Sequence, residues 1–299
     1  MIRFEALTKR WGTQRGVEGL TLSVGAGEVV ALLGPNGSGK TTSLKIAVGL
    51  VHPTSGRVLA GEPARSTRDP AGRRLVSFLP QRVSFPESLT GGEIVEFYRR
   101  LRGAPVEAAR EVLRAASLNG AAGRAVGTYS GGMTQRLGLA IAALPAVDAY
   151  LLDEPTSSLD ADGLCAFHGL AERWRREGRA VLFSSHQLGD VERLADRIAI
   201  LVEGRLVADL GGRELAERLA ARGLMRLRLD TCPPPVLARV QAAAPGARWS
   251  GEELVVPGPP AVRAAAVEAV RGAGVEIRGL TAEEGRLDAL YRELVEARA

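Results

Sequence analysis

"TYSGGMTQRLGLA", residues 128–140, is the stretch on which the reading of this chain turns. A serine and two glycines stand directly before an amphipathic helical pattern, as a chain is written when helix-end amides must stay free to hold an anion. Upstream, "GPNGSGKTT" at residues 34–42 is a second and stronger cradle for phosphate. The fold must therefore account for two anion sites in one chain.

The upstream cradle fits G-x-x-x-x-G-K-[ST], with Gly34, Gly39, Lys40 and Thr41 in the defining places. Glycines let the backbone curl until successive amides point at phosphate, the lysine reaches the β and γ oxygens, and the hydroxyl suits Mg²⁺. Gly34, Pro35, Asn36, Gly37, Ser38, Gly39, Lys40, Thr41 and Thr42 are thus the expected phosphate binders. The motif lies between the apolar run "VVALLG" and the helical pattern "KTTSLKIAVGLV", the context it requires. Further on, "AYLLDEP" sets Asp153 and Glu154 at the end of a buried strand. Acids there are costly without a cationic partner, so a magnesium nucleotide is expected, with Asp153 in the metal's shell and Glu154 on the attacking water.

Around these motifs the pattern alternates. "IRFEALTKRW" and "LTLSVGAGE" read as half-exposed antiparallel strands; "SGRVLAGEP" is a hairpin and "RRLVSFLPQ" a strand. From about 85 to 144 the signal is mostly helical, an insertion between strands. "AYLLDEP", a helix over 163–178, "AVLFSSH", and a helix plus hairpin turning at Glu203 and Gly204 complete the unit. The phosphate loop, "LLDEP" and "SSH" all fall at strand ends, where parallel sheets bind ligands. The expected fold is α/β: a P-loop NTPase core over 1–212 with an antiparallel β subdomain and an inserted helical subdomain, then a small α/β domain over 213–299 with "CPPP" as a break.

Composition narrows the classes. With 299 residues, no apolar run approaching the ~20 of a spanning helix and charges in "MIRFEALTKRWG", a cytosolic chain without a signal peptide is expected. A net charge of +5 and a pI near 9.7 could mean a nucleic-acid partner. Yet of 39 lysines and arginines only Lys9, Lys40 and Lys45 are lysine, which reads as compositional bias, and no nucleic acid is expected. Cys165 and Cys232 have no spacing for a disulfide framework or metal site; Cys165 reads as a small buried helix residue. His52 and His168 read as surface or helix-packing residues, and Trp174 and Trp249 as packing aromatics.

In order, the phosphate loop, Gln81 after "LVSFLP", "YSGGMTQ", "YLLDEP", "SSLD" at 157–160 and "SSH" at 184–186 resemble the nucleotide-binding subunit of ATP-binding cassette (ABC) transporters over residues 1 to about 210. The resemblance implies an ATPase that dimerises head to tail, the phosphate loop of one copy facing the serine-glycine-glycine helix start of the other across ATP and Mg²⁺. By position it implies that Ser130, Gly131 and Gly132 bind the partner's γ-phosphate and that Asp160 helps to align the two sites. It further implies that Trp11 stacks on adenine, Gln81 contacts Mg²⁺ and the attacking water, and His186 the γ-phosphate. "YSGGM" and "SSLD" depart mildly from the family pattern, leaving the anion-binding residues in place. A separate integral membrane permease is implied, with the chain peripheral on the cytoplasmic face.

"RLDALYRELV" resembles an ending common in exporter-like single-cassette subunits. "LPQRVSFPESLTG" resembles the ATPase of transporters that supply copper or sulfur for nitrous oxide reductase maturation. Relatives acting on ribosomes carry two tandem cassettes, and DNA-repair relatives a long coiled coil. This chain shows one cassette and no heptad run.

Overall fold

A computed structural model describes residues 1–297, the side chain of Arg15 apart. Two compact units emerge, 1–209 and 210–297.

In the first unit, strand Ile2–Trp11 turns at Gly12 and Thr13 into strand Gln14–Val24, with Trp11 opposite Gln14. Gly12 has φ 59, the left-handed conformation that tight hairpins ask of glycine. Strands Ser55–Ala60 and Arg65–Ser66 extend this pair into a four-stranded antiparallel sheet. Its alternation buries Ile2, Phe4, Leu7, Leu20 and Leu22 on one face.

Those side chains pack with the second sheet in one core. That sheet has six strands in the spatial order 205–211, 197–202, 29–33, 180–184, 149–152, 76–79. The last five run parallel. Val29–Leu33, Ala149–Leu152 and Ala180–Ser184 are buried throughout, which is why their sequences are continuously apolar. The outer strand Arg205–Gly211 returns through Glu203 (φ 49) and Gly204 (φ 82).

The inserted block is three helices, Gly91–Arg102, Val106–Ala115 and Gly131–Ala143. Thr90 starts the first: its hydroxyl accepts from the Glu93 amide while the Glu93 carboxylate accepts from the Thr90 amide. Ile94, Val95, Val112, Leu113, Leu137 and Ala140 form the block's own core.

The second unit runs helix, strand, helix, strand, strand, helix, strand, helix: Gly212–Ala221, Leu224–Leu229, Pro234–Ala243, Arg248–Ser250, Glu253–Pro257, Pro260–Arg271, Ile277–Glu283, Leu287–Glu296. Spatially the strands run 248–250, 253–257, 224–229, 277–283, all antiparallel, a split β-α-β arrangement. In "LMRLRL" Met225, Leu227 and Leu229 enter the core with Val240, Leu254, Val256 and Val270, while Arg226 and Arg228 stay exposed. The "CPPP" break ends inside a helix: Pro234 occupies its first position, where a missing N–H costs nothing. Among the described residues no helix is long and apolar enough to cross a membrane.

Candidate active site

The phosphate loop leaves strand Val29–Leu33 and feeds helix Lys40–Ala47. Gly34 and Gly39 have φ 151 and φ 102. A Cβ on Gly34 would lie 2.2 Å from the Leu201 carbonyl oxygen, and one on Gly39 only 2.3 Å from that of Gly16. Glycine is required there by both backbone and space. Lys40 is buried, and its Nζ donates to the Gly34 and Pro35 carbonyls at 2.7 and 3.1 Å. Burial pushes its pKa below the ordinary lysine value, against the charges of Glu154 and Asp153. Trp11, Gly16, Asn36, Gly37, Ser38, Gly39, Lys40, Thr41, Thr42, Gln81 and Glu154 line one cleft of about 420 Å³.

Behind Thr41, Asp153 is 1% exposed. Its Oδ1 accepts from the Ser184 hydroxyl at 2.7 Å and the Thr41 hydroxyl at 3.1 Å. Its Oδ2 is buried without a hydrogen-bond partner among the described residues. A buried carboxylate oxygen left unpaired next to a threonine hydroxyl is an all-oxygen donor set suited to a hard cation such as Mg²⁺. Glu154 sits at φ 47, a strained conformation for a residue with a side chain. Its amide donates to Ser184 Oγ at 2.8 Å, and its Oε2 accepts from Gln81 Nε2 at 3.0 Å, with His186 Nδ1 at 3.3 Å. Ser184 thus ties both acids to the neighbouring strand. The sequence reading gave it no role; the signal was a hydroxyl closing an otherwise apolar strand. Gly16 was missed too, since only the fold brings it beneath Gly39.

The second anion cradle lies elsewhere. Ser130 caps helix Gly131–Ala143, its hydroxyl accepting from the Met133 amide at 3.2 Å. The amides of Gly131 and Gly132, in the first turn, have no intrahelical acceptor. A Cβ on Gly131 would meet nothing within 4 Å, and one on Gly132 would lie 3.1 Å from the Ser158 carbonyl oxygen. Asp160 caps helix Ala161–Arg176 through the Gly163 amide at 2.9 Å and faces Arg136 at 3.5 Å. None of Ser130, Gly131, Gly132 and Asp160 lines the phosphate-loop cleft.

Elsewhere, Trp174 is buried and stacks on Tyr150 at 4.0 Å between centroids. His168 reaches Asp190 at 3.4 Å between two helices, and Trp249 packs on the second unit's core. Cys165 corrects the expectation of burial: it is exposed. The buried stripe of its helix runs through Gly163, Ala166, Phe167, Leu170 and Trp174, and at 100° per residue position 165 falls on the opposite side.

A family model described as "ABC transporter" matches residues 17–157. Nod factor export ATP-binding protein I of Burkholderia orbicola is 40% identical over 216 residues, 70% of either chain. Daunorubicin resistance ATP-binding protein DrrA2 of Streptomyces coeruleorubidus is 38% identical over 215 residues, 70% of this chain and 66% of that one. Among solved structures, a dimeric ATP-binding cassette in a post-hydrolysis state with ADP and Pi superposes with a TM-score of 0.64 at 28% identity, covering 71% of this chain and 98% of that one. Neither the nitrous-oxide-reductase reading nor the ribosome and DNA readings draw support from these relatives. On the match to this family model, the 40% identity to a curated relative over 70% of the chain and the likeness to a cassette holding ADP and Pi, the chain belongs to the ABC transporter family as its ATP-binding, ATP-hydrolysing subunit.

Proposed function

We propose that this chain powers an export-type ABC transporter, closing head to tail on a second copy with two ATP molecules between them and moving a separate integral membrane permease at the cytoplasmic face. One observation carries the reading. The chain holds two anion cradles, and the residues of the second are absent from the lining of the first. That separation supports reading each cradle as half of a site shared between two copies. Export is supported by the name of the Nod factor relative and by the "RLDALYRELV" ending.

The chemistry asks for little beyond positioning and charge neutralisation. Lys40 would exchange its two loop carbonyls for phosphate oxygens. Thr41 and the unpaired Asp153 oxygen would hold Mg²⁺, with Gln81 at hand, and a bound ion would neutralise phosphate charge. Glu154, held by Ser184, Gln81 and His186, orients and deprotonates the attacking water; His186 contacts the γ-phosphate. Across the interface, Ser130 and the amides of Gly131 and Gly132 hold the same γ-phosphate and Asp160 keeps that loop aligned, while Trp11, in the phosphate-loop cleft, stacks on the adenine. Once the γ-phosphate is cleaved, the bond between copies loses its acceptor and the dimer reopens.

Glu154→Gln keeps the shape and removes the base. We expect turnover to fall about 10²–10⁴-fold while ATP with Mg²⁺ converts the protein into a stable dimer, read by light scattering after size exclusion. Undiminished turnover would remove Glu154 from its role.

A further inference from the structure

We infer that Lys9 is a positioning residue that caps one face of the Trp11 indole, leaving the other face as the platform for the purine of ATP. The inference rests on the reading that ATP occupies this cleft. Lys9 and Trp11 stand two apart on strand Ile2–Trp11, so their side chains leave the same face of the sheet. Lys9 Nζ lies 4.2 Å from the ring centroid, well inside cation–π range. Trp11 is 51% exposed.

Its edge is fixed as well. A Cβ on Gly16 would come 3.2 Å from Trp11 Nε1, 3.2 Å from the Lys9 carbonyl oxygen and 3.4 Å from Thr42 Cγ2. Gly16 is thus wedged between the indole and the phosphate-loop helix, and its carbonyl is the group that excludes a side chain at Gly39. The ring has the Gly16 backbone close to one edge and a cation over one face. A flat base arriving from the phosphate loop meets the remaining face. A half-exposed tryptophan without such bracing has rotamers to lose on binding, and Lys9 removes that cost beforehand. In a chain whose basic residues are almost all arginine, a lysine here gives a compact charge over the ring.

The test compares ATP with inorganic tripolyphosphate, each with Mg²⁺, on the full chain. Lys9→Gln is expected to weaken ATP about two- to fivefold and raise KM with kcat retained, leaving tripolyphosphate affinity unchanged. Lys9→Arg, which can also cap a ring, is expected to restore ATP affinity. The inference is overturned if Lys9→Gln binds ATP as tightly as the parent or more tightly, or if it weakens tripolyphosphate equally, since that marks a simple phosphate attractor. If Trp11→Ala weakens ATP while Lys9→Gln does not, only the role of Lys9 falls. If Trp11→Ala leaves ATP affinity intact, the adenine platform itself fails and the role of Lys9 with it.

Discussion

The two candidate anion cradles are built to opposite specifications. Around Lys40 the cradle is braced from within: the ammonium rests on loop carbonyls, Thr41 on Asp153, and the glycines against the Leu201 and Gly16 backbone. Around Ser130 the helix start is open, with free space beside Gly131 and one hydroxyl closing one amide. A cradle that must bind alone is preassembled and pinned. A cradle that completes another chain's site need only present amides to solvent.

The largest expected effect comes from making the same substitution in both. Gly39→Ala forces a side chain into a left-handed conformation and against the Gly16 carbonyl at 2.3 Å, so strain of about 1–3 kcal/mol plus the clash should lower ATP affinity at least ~10-fold. Gly131→Ala meets nothing within 4 Å and favours a helix, so the unfolding free energy should stay within about 0.5 kcal/mol of the parent's. Isothermal titration and urea unfolding read the pair. Equal sensitivity at the two glycines would erase the contrast.

Next in size is Ser184→Ala. It strips Asp153 Oδ1 of its shorter hydrogen bond and leaves the Glu154 amide buried without its acceptor, a cost of about 1–3 kcal/mol. Turnover should fall roughly tenfold while ATP-driven association persists, since the second cradle is untouched. A variant with parental kinetics would show that the two acids hold their places without Ser184.

The smallest effect sharpens the comparison through pH. Burial lowers the pKa of free Lys40, and only its protonated form attracts phosphate. ATP affinity should therefore decline as pH rises through that lowered value, by at most about tenfold per unit. The guanidinium of Lys40→Arg stays charged, so its affinity, though weaker, should be flat over the same range. An alkaline decline that survives in Lys40→Arg would assign it to another group.

Both cradles were legible in the sequence because each is a local pattern: glycine spacing for one, a serine before a helix for the other. The six-stranded core was legible for a related reason, since strands buried on both faces are continuously apolar. What escaped was non-local. Ser184 acquires its role only when strand Ala180–Ser184 lies beside Ala149–Leu152, and Gly16 only when the hairpin folds over the loop. Cys165 escaped because apolar character alone does not give helical phase. The stretch "CPPP" reads as a break, although at a helix's first position, where Pro234 stands, proline is a starter.

Mixing two inactive variants tests most directly whether each site is shared between copies. Lys40→Ala disables the loop, and Gly132→Asp puts a negative charge at the second cradle. A mixed dimer has one site with both defects and one with neither. ATPase activity is expected to be absent from either protein alone and to reappear on mixing, rising with the fraction of mixed dimer. If the mixture stays as inactive as its components while mixed dimers form, each chain completes its own site and the account of two half-sites is wrong.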